Sequence, residues 1–189
     1  MSRDKRSSRK VRAAVKTFGM TPLSRLIRTS LVSVGAAVLP AGVAIAAPQG
    51  GVIVGGQGSI ATQGTVTTIN QVSNRLAAEW ASFNISAEEL VRFVQPSTSA
   101  IALNRILDQS PSSIFGAIEA NGRLILTNTN GMIFAPSASV NVHSLIASGL
   151  DLSISDFMAG DLRFDAANSA GLVVNSGLMV AANGGPINL

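Results

Sequence analysis

Short β-prone runs separated by turn residues make up most of the chain from Gly50 onward, and they constrain its fold more than any other feature. Each run is four to seven residues long, is rich in Val, Ile and Thr, and is bounded by Gly, Asn or Ser, as at residues 51–56, 64–70 and 123–128. Runs of this length and composition are typical of β-strands joined by tight turns. Asn-Gly pairs at residues 121–122, 130–131 and 183–184 predict corners with positive φ. The sequence therefore predicts an all-β fold.

The spacing of the later runs favours a solenoid over a β-sandwich, which remains the alternative. After Ser153 the runs recur at residues 160–165, 170–175 and 177–182, at intervals too short for long hairpin strands. In a parallel β-helix, inward aliphatic side chains stack from coil to coil and small or Asn-containing corners join the strands. The alternation predicts inward rows that contain Leu172, Val174, Leu178, Val180, Ile187 and Leu189.

Residues 73–108 interrupt the β pattern. Leu76, Ala77, Trp80 and Phe83 have the spacing of one face of an amphipathic helix, whereas residues 91–94, which include Phe93, alternate as a strand. We expect Trp80, Phe83 and Phe93 to be core residues, and the segment to be an end cap that closes the solenoid. A sugar-stacking role for Trp80 is the alternative.

The first 47 residues are a predicted signal peptide of unusual length. They contain nine Lys or Arg and one acidic residue, and an uncharged apolar run at 29–47 ends in the small-residue pattern Ala44-Ile45-Ala46. This pattern predicts export by the Sec machinery and cleavage between Ala46 and Ala47. The division into domains is then 1–47 for the signal peptide and 48–189 for the mature part.

Two alternatives apply to this leader. A membrane anchor is disfavoured because the run contains Pro40, consists mostly of small residues, and lacks a basic stop-transfer flank. The true initiator could be Met20, since Arg25 and Arg28 would still provide a cationic segment before the apolar run.

The charge of the mature part argues against nucleic-acid binding. Residues 48–189 contain five Arg, no Lys and nine Asp or Glu, for a net charge of −4, so the basic character of the whole chain belongs to the leader. A phosphate-binding surface is hard to build from scattered Arg residues. The absence of Cys excludes disulfides and thiolate metal sites.

The mature part has few residues for catalysis, although some parallel β-helices are polysaccharide lyases or hydrolases. It contains one His, His143, and lacks Lys, Tyr and Cys, which removes most candidate bases and nucleophiles. Six acidic residues of the mature part do not have the spacing of a calcium loop, so we predict a solvated acidic face, no metal and no cofactor. They are Glu88, Glu89, Asp151, Asp156, Asp161 and Asp165.

Several sequence blocks follow one another in fixed order between residues 50 and about 155. They are residues 80–85, 91–97, 102–106, 113–116, 120–126, 128–134 and 140–148. In order and spacing these blocks resemble the haemagglutination-activity domain, the amino-terminal secretion domain of filamentous-haemagglutinin-like two-partner-secretion exoproteins.

Two blocks depart from the family pattern. The family's Asn-Pro-Asn-Gly turn has Thr129 in place of Pro, and its Val-Asn-Val-Gly-Gly-Leu block has His143-Ser144 in place of the two Gly residues. The chain stops at Leu189, whereas family members usually continue into long repeats, so we expect a truncated gene, a fragment of a larger exoprotein or a stand-alone secretion module.

The resemblance implies a right-handed single-stranded parallel β-helix with an amino-terminal cap, which folds outside the cell after export through the periplasm. It implies a dedicated outer-membrane β-barrel transporter as partner, and a surface-exposed or secreted adhesin as product. Asn128, Asn130 and Gly131, together with Asn104 and Arg105, are our candidates for transporter recognition. Corners that only shape the coil are the alternative for both segments, and a carbohydrate-binding or adhesive module that contacts host glycans is the alternative function.

Overall fold

The structure is a computed structural model that describes residues 47–166 and 171–189. The predicted leader lies outside the described residues except for Ala47, so Ala44 and Ala46 of the predicted cleavage site lie outside them too. Ala47 is 8% exposed and its carbonyl accepts a hydrogen bond from Gln49 Nε2. Within the described ranges, we find no helix long and apolar enough to cross a bilayer.

The described chain is almost entirely β-structure, which confirms the predicted parallel β-helix. Three sheets run along the coils, and the second, third and fourth coils each add one strand to each sheet in turn. The strands are β1 Val52–Gly55, β2 Gly58–Gln63, β3 Val66–Gln71, β4 Arg75–Trp80, β5 Leu90–Val94, β6 Ile101–Ile106, β7 Ser112–Ile114, β8 Ala117–Ala120, β9 Arg123–Asn128, β10 Met132–Phe134, β11 Ser139–Val142, β12 Ser144–Ser148, β13 Asp151–Leu152, β14 Phe164–Asp165, β15 Val173–Asn175, β16 Leu178–Ala181 and β17 Ile187–Asn188. One α-helix, α1, spans Ile154–Ala159, and a 3₁₀ helix spans Ala182–Gly184.

The sheets are built by parallel pairing of strands that are one coil apart in sequence. The first sheet has the order β16-β11-β8-β5-β3-β2, the second β1-β4-β6-β9-β12-β17, and the third β15-β10-β7. Two pairings at the amino-terminal end are antiparallel: β2 with β3, and β1 with β4. Strands β1 and β2 therefore form the cap on the first coil.

Inward side chains stack in register from coil to coil. In the first sheet Thr67, Val91, Ile118, Val140 and Met179 occupy equivalent positions, and the first four are at most 2% exposed. Alternation directs every second residue of a strand to one face. Because each row joins consecutive coils, burial of aliphatic side chains stabilises the contact between coils and not only the single strand.

The helix expected near residue 76 is absent, and the end cap is formed earlier in the chain. Residues 75–80 are strand β4, and residues 90–94 and 101–106 are the regular coil strands β5 and β6. The alternation of β4 is concealed because Ala77, which points outward between the inward residues Leu76 and Ala78, is also buried. A strand that is covered on both faces loses its polar positions.

Two further expectations from the sequence were wrong. Near the carboxyl end the inward residues are Val173, Met179 and Ile187, so the prediction was correct at Ile187 and out of phase by one residue in the two preceding strands, β15 and β16. The predicted inward residues Leu172, Val174, Leu178, Val180 and Leu189 are 45–78% exposed. Of the predicted run 160–165, only Phe164–Asp165 is strand, because Gly160 ends α1 in the left-handed conformation.

An insertion leaves the coil after β12 and covers the outer face of the second sheet. It contains β13, α1 and β14, and its side chains Leu152 and Phe157 are fully buried against an outward row of the sheet. That row consists of Ala77, Leu103 and Ile125, with Ile146 partly buried beside it. The domain therefore has two apolar clusters, one inside the coils and one beneath the insertion.

Candidate functional site

The turn at residues 128–131 is held by the side chain of Asn128, which is fully buried at the end of β9. Its Oδ1 accepts a hydrogen bond from the Asn130 backbone N–H at 2.9 Å. Its Nδ2 donates to the carbonyl of Ser110 at 3.1 Å and to Ser112 Oγ at 3.0 Å. The Asn128 side chain thus closes its own turn through Oδ1 and joins that turn to the corner of the previous coil through Nδ2.

Asn130 and Gly131 of the turn are also held by hydrogen bonds. Asn130 Nδ2 donates to the carbonyl of Asp108 at 2.7 Å, and Gly131 N donates to the carbonyl of Asn128 at 2.8 Å. Gly131 has φ of 101°, and a Cβ there would lie 2.6 Å from the carbonyl oxygen of Leu172. These hydrogen bonds define the corner without the Pro that the family has at position 129.

Asn104 lies inside the coils, on strand β6, with an exposure of 0%. Its Oδ1 accepts a hydrogen bond from Trp80 Nε1 at 3.0 Å, and its Nδ2 lies 3.5 Å from the carbonyl of Ile125. Trp80 packs edge-to-face on Phe83, with ring centroids 5.3 Å apart. Asn104 therefore supplies the polar partner that a buried indole N–H requires.

Trp80, Phe83 and Phe93 are all at most 2% exposed and belong to the inner cluster. A Cβ on Gly51 of the cap segment would lie 2.4 Å from the Trp80 ring, so the cap rests directly on the indole. A ring so enclosed offers no face to a sugar in the folded domain. The sugar-stacking interpretation of Trp80 is therefore wrong.

Arg105 lies on the opposite face of β6 from Asn104. Its Nε and Nη2 donate to the Asp151 carboxylate at 2.8 and 2.6 Å, and its Nη1 donates to Glu79 Oε1 at 3.0 Å. The hydrogen bond to Asp151 raises the pKa of Arg105 above its ordinary value, and the same bond lowers the pKa of Asp151. Arg105 thus connects the insertion to the first two coils.

The structure brings the two predicted recognition segments onto neighbouring strands, where Ile106 lies opposite Asn128. It does not bring them onto one exposed surface, because Asn104 and Asn128 are buried and Arg105 is outside beneath Asp151. In the folded domain Asn128, Asn130 and Gly131 form a corner. Asn104 is a core residue, and Arg105 forms an ion pair with the insertion.

Sequence reasoning missed the polar ladder at the corner between the first and second sheets. Gln95 Nε2 donates to Gln71 Oε1 at 3.0 Å, and Gln95 Oε1 accepts from Gly122 N at 2.9 Å. Asn121 pairs with the backbone N–H and carbonyl of Gln95 at 2.7 and 2.8 Å. Gly122 does not adopt the expected positive φ; glycine is required there for close approach instead, since a Cβ would lie 2.6 Å from Gln95 Oε1. The sequence could not reveal this ladder, because Gln71 and Gln95 lie 24 residues apart and form no short motif.

The acidic side chains of the described residues do not converge on a metal centre. No group of three or more His, Asp or Glu within residues 47–166 and 171–189 has the geometry to hold a metal ion. The depression lined by Asp151, Asp156 and Asp165 also contains Arg163, and Asp151 is already paired with Arg105. His143, half-buried at the corner between β11 and β12, has no hydrogen-bond partner for Nδ1.

Known proteins resemble the chain over most of the described region. The family model of the TPS secretion domain matches residues 44–189. The heme/hemopexin-binding protein of Haemophilus influenzae strain Rd is 37% identical over 105 residues, which is 56% of this chain and 12% of that protein. A second H. influenzae heme/hemopexin-binding protein is 40% identical over 85 residues, 45% of this chain and 9% of that protein.

A solved structure shows the same fold. The HMW1 secretion domain from H. influenzae superposes with a TM-score of 0.66 at 29% sequence identity, and the match covers 70% of this chain and 36% of that one. The matched region spans only about a tenth of the length of the curated relatives.

Proposed function

Because the chain belongs to the TPS secretion domain family, we propose that a cognate outer-membrane β-barrel transporter recognises it in the periplasm and passes it to the cell surface. The family is one of secretion domains and not of enzymes. The observation that carries the proposal is the stack of parallel coils shared with the HMW1 secretion domain. The heme binding named for the curated relatives is not part of the proposal, because the match covers about a tenth of those proteins.

Burial of the candidate residues determines which state of the chain the transporter would bind. Asn104 and Asn128 have no exposed surface in the folded domain, and their side chains are hydrogen-bonded within it. A transporter that reads these side chains must therefore meet the chain before it folds. In the extended chain the same amides, and the backbone groups beside them, are free to pair with a sheet edge of the partner.

Folding then removes the recognised groups from reach. When the turn at 128–131 closes, Asn128 Nδ2 binds Ser110 and Ser112, and the backbone of β9 pairs with β6 and β12. Folding outside the cell would thus convert recognition groups into internal contacts and oppose return of the chain through the pore. Coil-by-coil burial of apolar rows supplies the free energy for this step.

The proposed route ends at the cell surface or in the medium, after Sec export and removal of the leader. On this proposal the exoprotein is an adhesin, as in the family that the sequence resembles. Contact with host glycans would then belong to the exoprotein as a whole, since the one Trp of the described chain lies in the core.

The test uses the full chain in a Gram-negative host, with and without a cognate two-partner transporter. We expect the cleaved chain to reach the medium or surface only with the transporter. The double variant Asn128→Ala/Asn130→Ala is expected to accumulate in the periplasm and to lose crosslinking to the transporter.

Two matched variants separate recognition from folding. Leu124→Asp breaks the inner core of the third coil but leaves the turn intact, so it should keep the crosslink while failing to fold outside. Asn141→Ala changes an exposed Asn of β11 and should be exported normally. Transporter-independent export, or loss of the crosslink in Leu124→Asp as well as in the turn variant, would contradict the proposal.

A further inference from the structure

Asn-Gly pairs have the composition that favours spontaneous rearrangement of the Asn side chain, and two of the three in the described residues, Asn121-Gly122 and Asn130-Gly131, lie at corners of the coils. The backbone nitrogen of the glycine attacks the Asn side-chain carbonyl carbon, because glycine has no side chain to hinder the approach. A carbon–nitrogen bond forms, the side-chain nitrogen leaves as ammonia, and a succinimide results. Water then opens the ring to aspartate or isoaspartate, so water is the only co-reactant.

The fold holds both reacting groups of the first pair away from this path. Asn121 Oδ1 and Nδ2 bind the backbone N–H and carbonyl of Gln95 at 2.7 and 2.8 Å. The attacking nitrogen, Gly122 N, donates to Gln95 Oε1 at 2.9 Å, and Gly122 is buried. The nitrogen and the carbon that must join are thus engaged by different parts of one residue on the preceding coil.

The second pair is held by an independent set of contacts. Asn130 Nδ2 donates to the carbonyl of Asp108 at 2.7 Å, and Gly131 N donates to the carbonyl of Asn128 at 2.8 Å. Gly131 is buried with φ of 101°. Attack by Gly131 N would require both hydrogen bonds to break and the corner to open.

We infer that Asn121 and Asn130 are modification sites, converted through a succinimide in the unfolded chain and blocked by folding. Conversion at Asn121 replaces the Nδ2 donor by a carboxylate oxygen that faces the carbonyl of Gln95, and conversion at Asn130 does the same at the carbonyl of Asp108. Either product removes a corner hydrogen bond and places like partial charges together. A chain that stays unfolded for long is therefore marked by a change that impairs its later folding.

The experiment incubates the full chain in native buffer and in denaturant at mildly alkaline pH. Peptide mapping by mass spectrometry then follows aspartate and isoaspartate at each Asn-Gly pair. In denaturant all three pairs should convert, and in native buffer conversion at Asn121 and Asn130 should be slower by roughly tenfold or more, because it requires local opening. Equal rates in the two conditions would overturn the inference.

A variant assigns the protection to the contacts named above. Gln95→Ala removes the acceptor of Gly122 N but keeps the backbone groups that bind Asn121. We expect faster conversion at Asn121 in native buffer, with Asn130 still protected in the same digest. A Gln95→Ala protein that protects both sites equally well contradicts the assigned role of Gln95. If the variant unfolds, conversion accelerates at both sites together. The comparison of wild-type conversion rates in native buffer and in denaturant then tests the inference by itself. The modification does not depend on the proposed export.

Discussion

Trp80 Nε1 donates a 3.0 Å hydrogen bond to Asn104 Oδ1 inside the coils, where both residues are at most 1% exposed. The bond joins β4 of the first coil to β6 of the second, and its acceptor Asn104 lies two residues before Ile106, the in-register partner of Trp80. A buried polar pair in an apolar row penalises any shift of one coil against the next, because a shift would leave both groups without partners.

Replacement of Asn104 by Ala should therefore destabilise the domain by about 2 kcal/mol, since it leaves the buried indole N–H unpaired. The measurement is equilibrium urea unfolding of the variant. Trp80→Phe, made alone and combined with Asn104→Ala, provides the control, because it removes the hydrogen-bond donor. The loss in the double variant should be smaller than the sum of the two single losses, and strict additivity would contradict the coupling.

Gly131→Ala should cost about 1–3 kcal/mol, because φ of 101° is strained for any residue with a Cβ and the new methyl would meet the carbonyl of Leu172. Gly64→Ala is the matched control, since Gly64 also has positive φ, 57°, but has open space around it. Its cost should be limited to the left-handed backbone, about 1 kcal/mol. Thermal unfolding of both variants checks the difference, and equal losses would exclude a contribution of the contact with Leu172.

The Arg105–Asp151 pair should make stability depend on pH in the acid range. The pKa of Asp151 is lowered in the folded domain, so its contribution is present above the unfolded pKa of about 3.9 and is lost as pH falls through the lower folded pKa. Because the pair is about one-third exposed, we expect Asp151→Asn to cost no more than about 1 kcal/mol at neutral pH.

The difference between wild type and Asp151→Asn should vanish below the folded pKa. Urea unfolding at neutral pH and at stepwise lower pH measures it. Asp161→Asn, which changes an exposed carboxylate of the same insertion, should show no such difference. A difference that is constant across the whole pH range would show that the charge of Asp151 is not its cause.

Phe157→Ala should open the insertion without opening the coils. Phe157 is fully buried in the outer cluster, and Arg75 lies over its ring at 5.3 Å while donating to its carbonyl at 3.0 Å. We expect a loss of about 3 kcal/mol in the stability of the insertion. Hydrogen exchange should accelerate at residues 151–159 and remain slow in β5 and β8. Met158→Ala, at a 36% exposed neighbour, is the control, and uniform acceleration in the Phe157 variant would contradict a separate insertion.

The sequence predicts the parallel coils well because strand alternation and corner residues are local properties. It does not predict what covers a strand. The burial of Ala77 depends on Phe157, which lies eighty residues away in sequence and conceals the alternation of β4. The prediction of which residues of β15 point inward was wrong for a related reason. In Leu172-Val173-Val174 both choices of inward residue are aliphatic, and only pairing with Met132 selects Val173.

The candidate recognition residues show the same limit. Asn128, Asn130 and Gly131 form one corner, as their adjacency in sequence indicates. Asn104 and Arg105 are also adjacent in sequence, but strand geometry puts their side chains on opposite faces of β6. The ladder of Gln71 and Gln95 joins residues 24 positions apart, a spacing that only the coil length of this domain determines.

The insertion that carries α1 leaves the solenoid after Ser148, and the chain resumes its place in the third sheet at Val173. On either side of the excursion the strands keep the register of the coils before them. The cost of closing a longer surface loop grows only slowly with its length. The exposed stretch at residues 158–163 should thus tolerate a change of length, and a foreign peptide grafted there would be displayed without disturbing the coils, provided that Leu152 and Phe157 still cover the outward row of the second sheet.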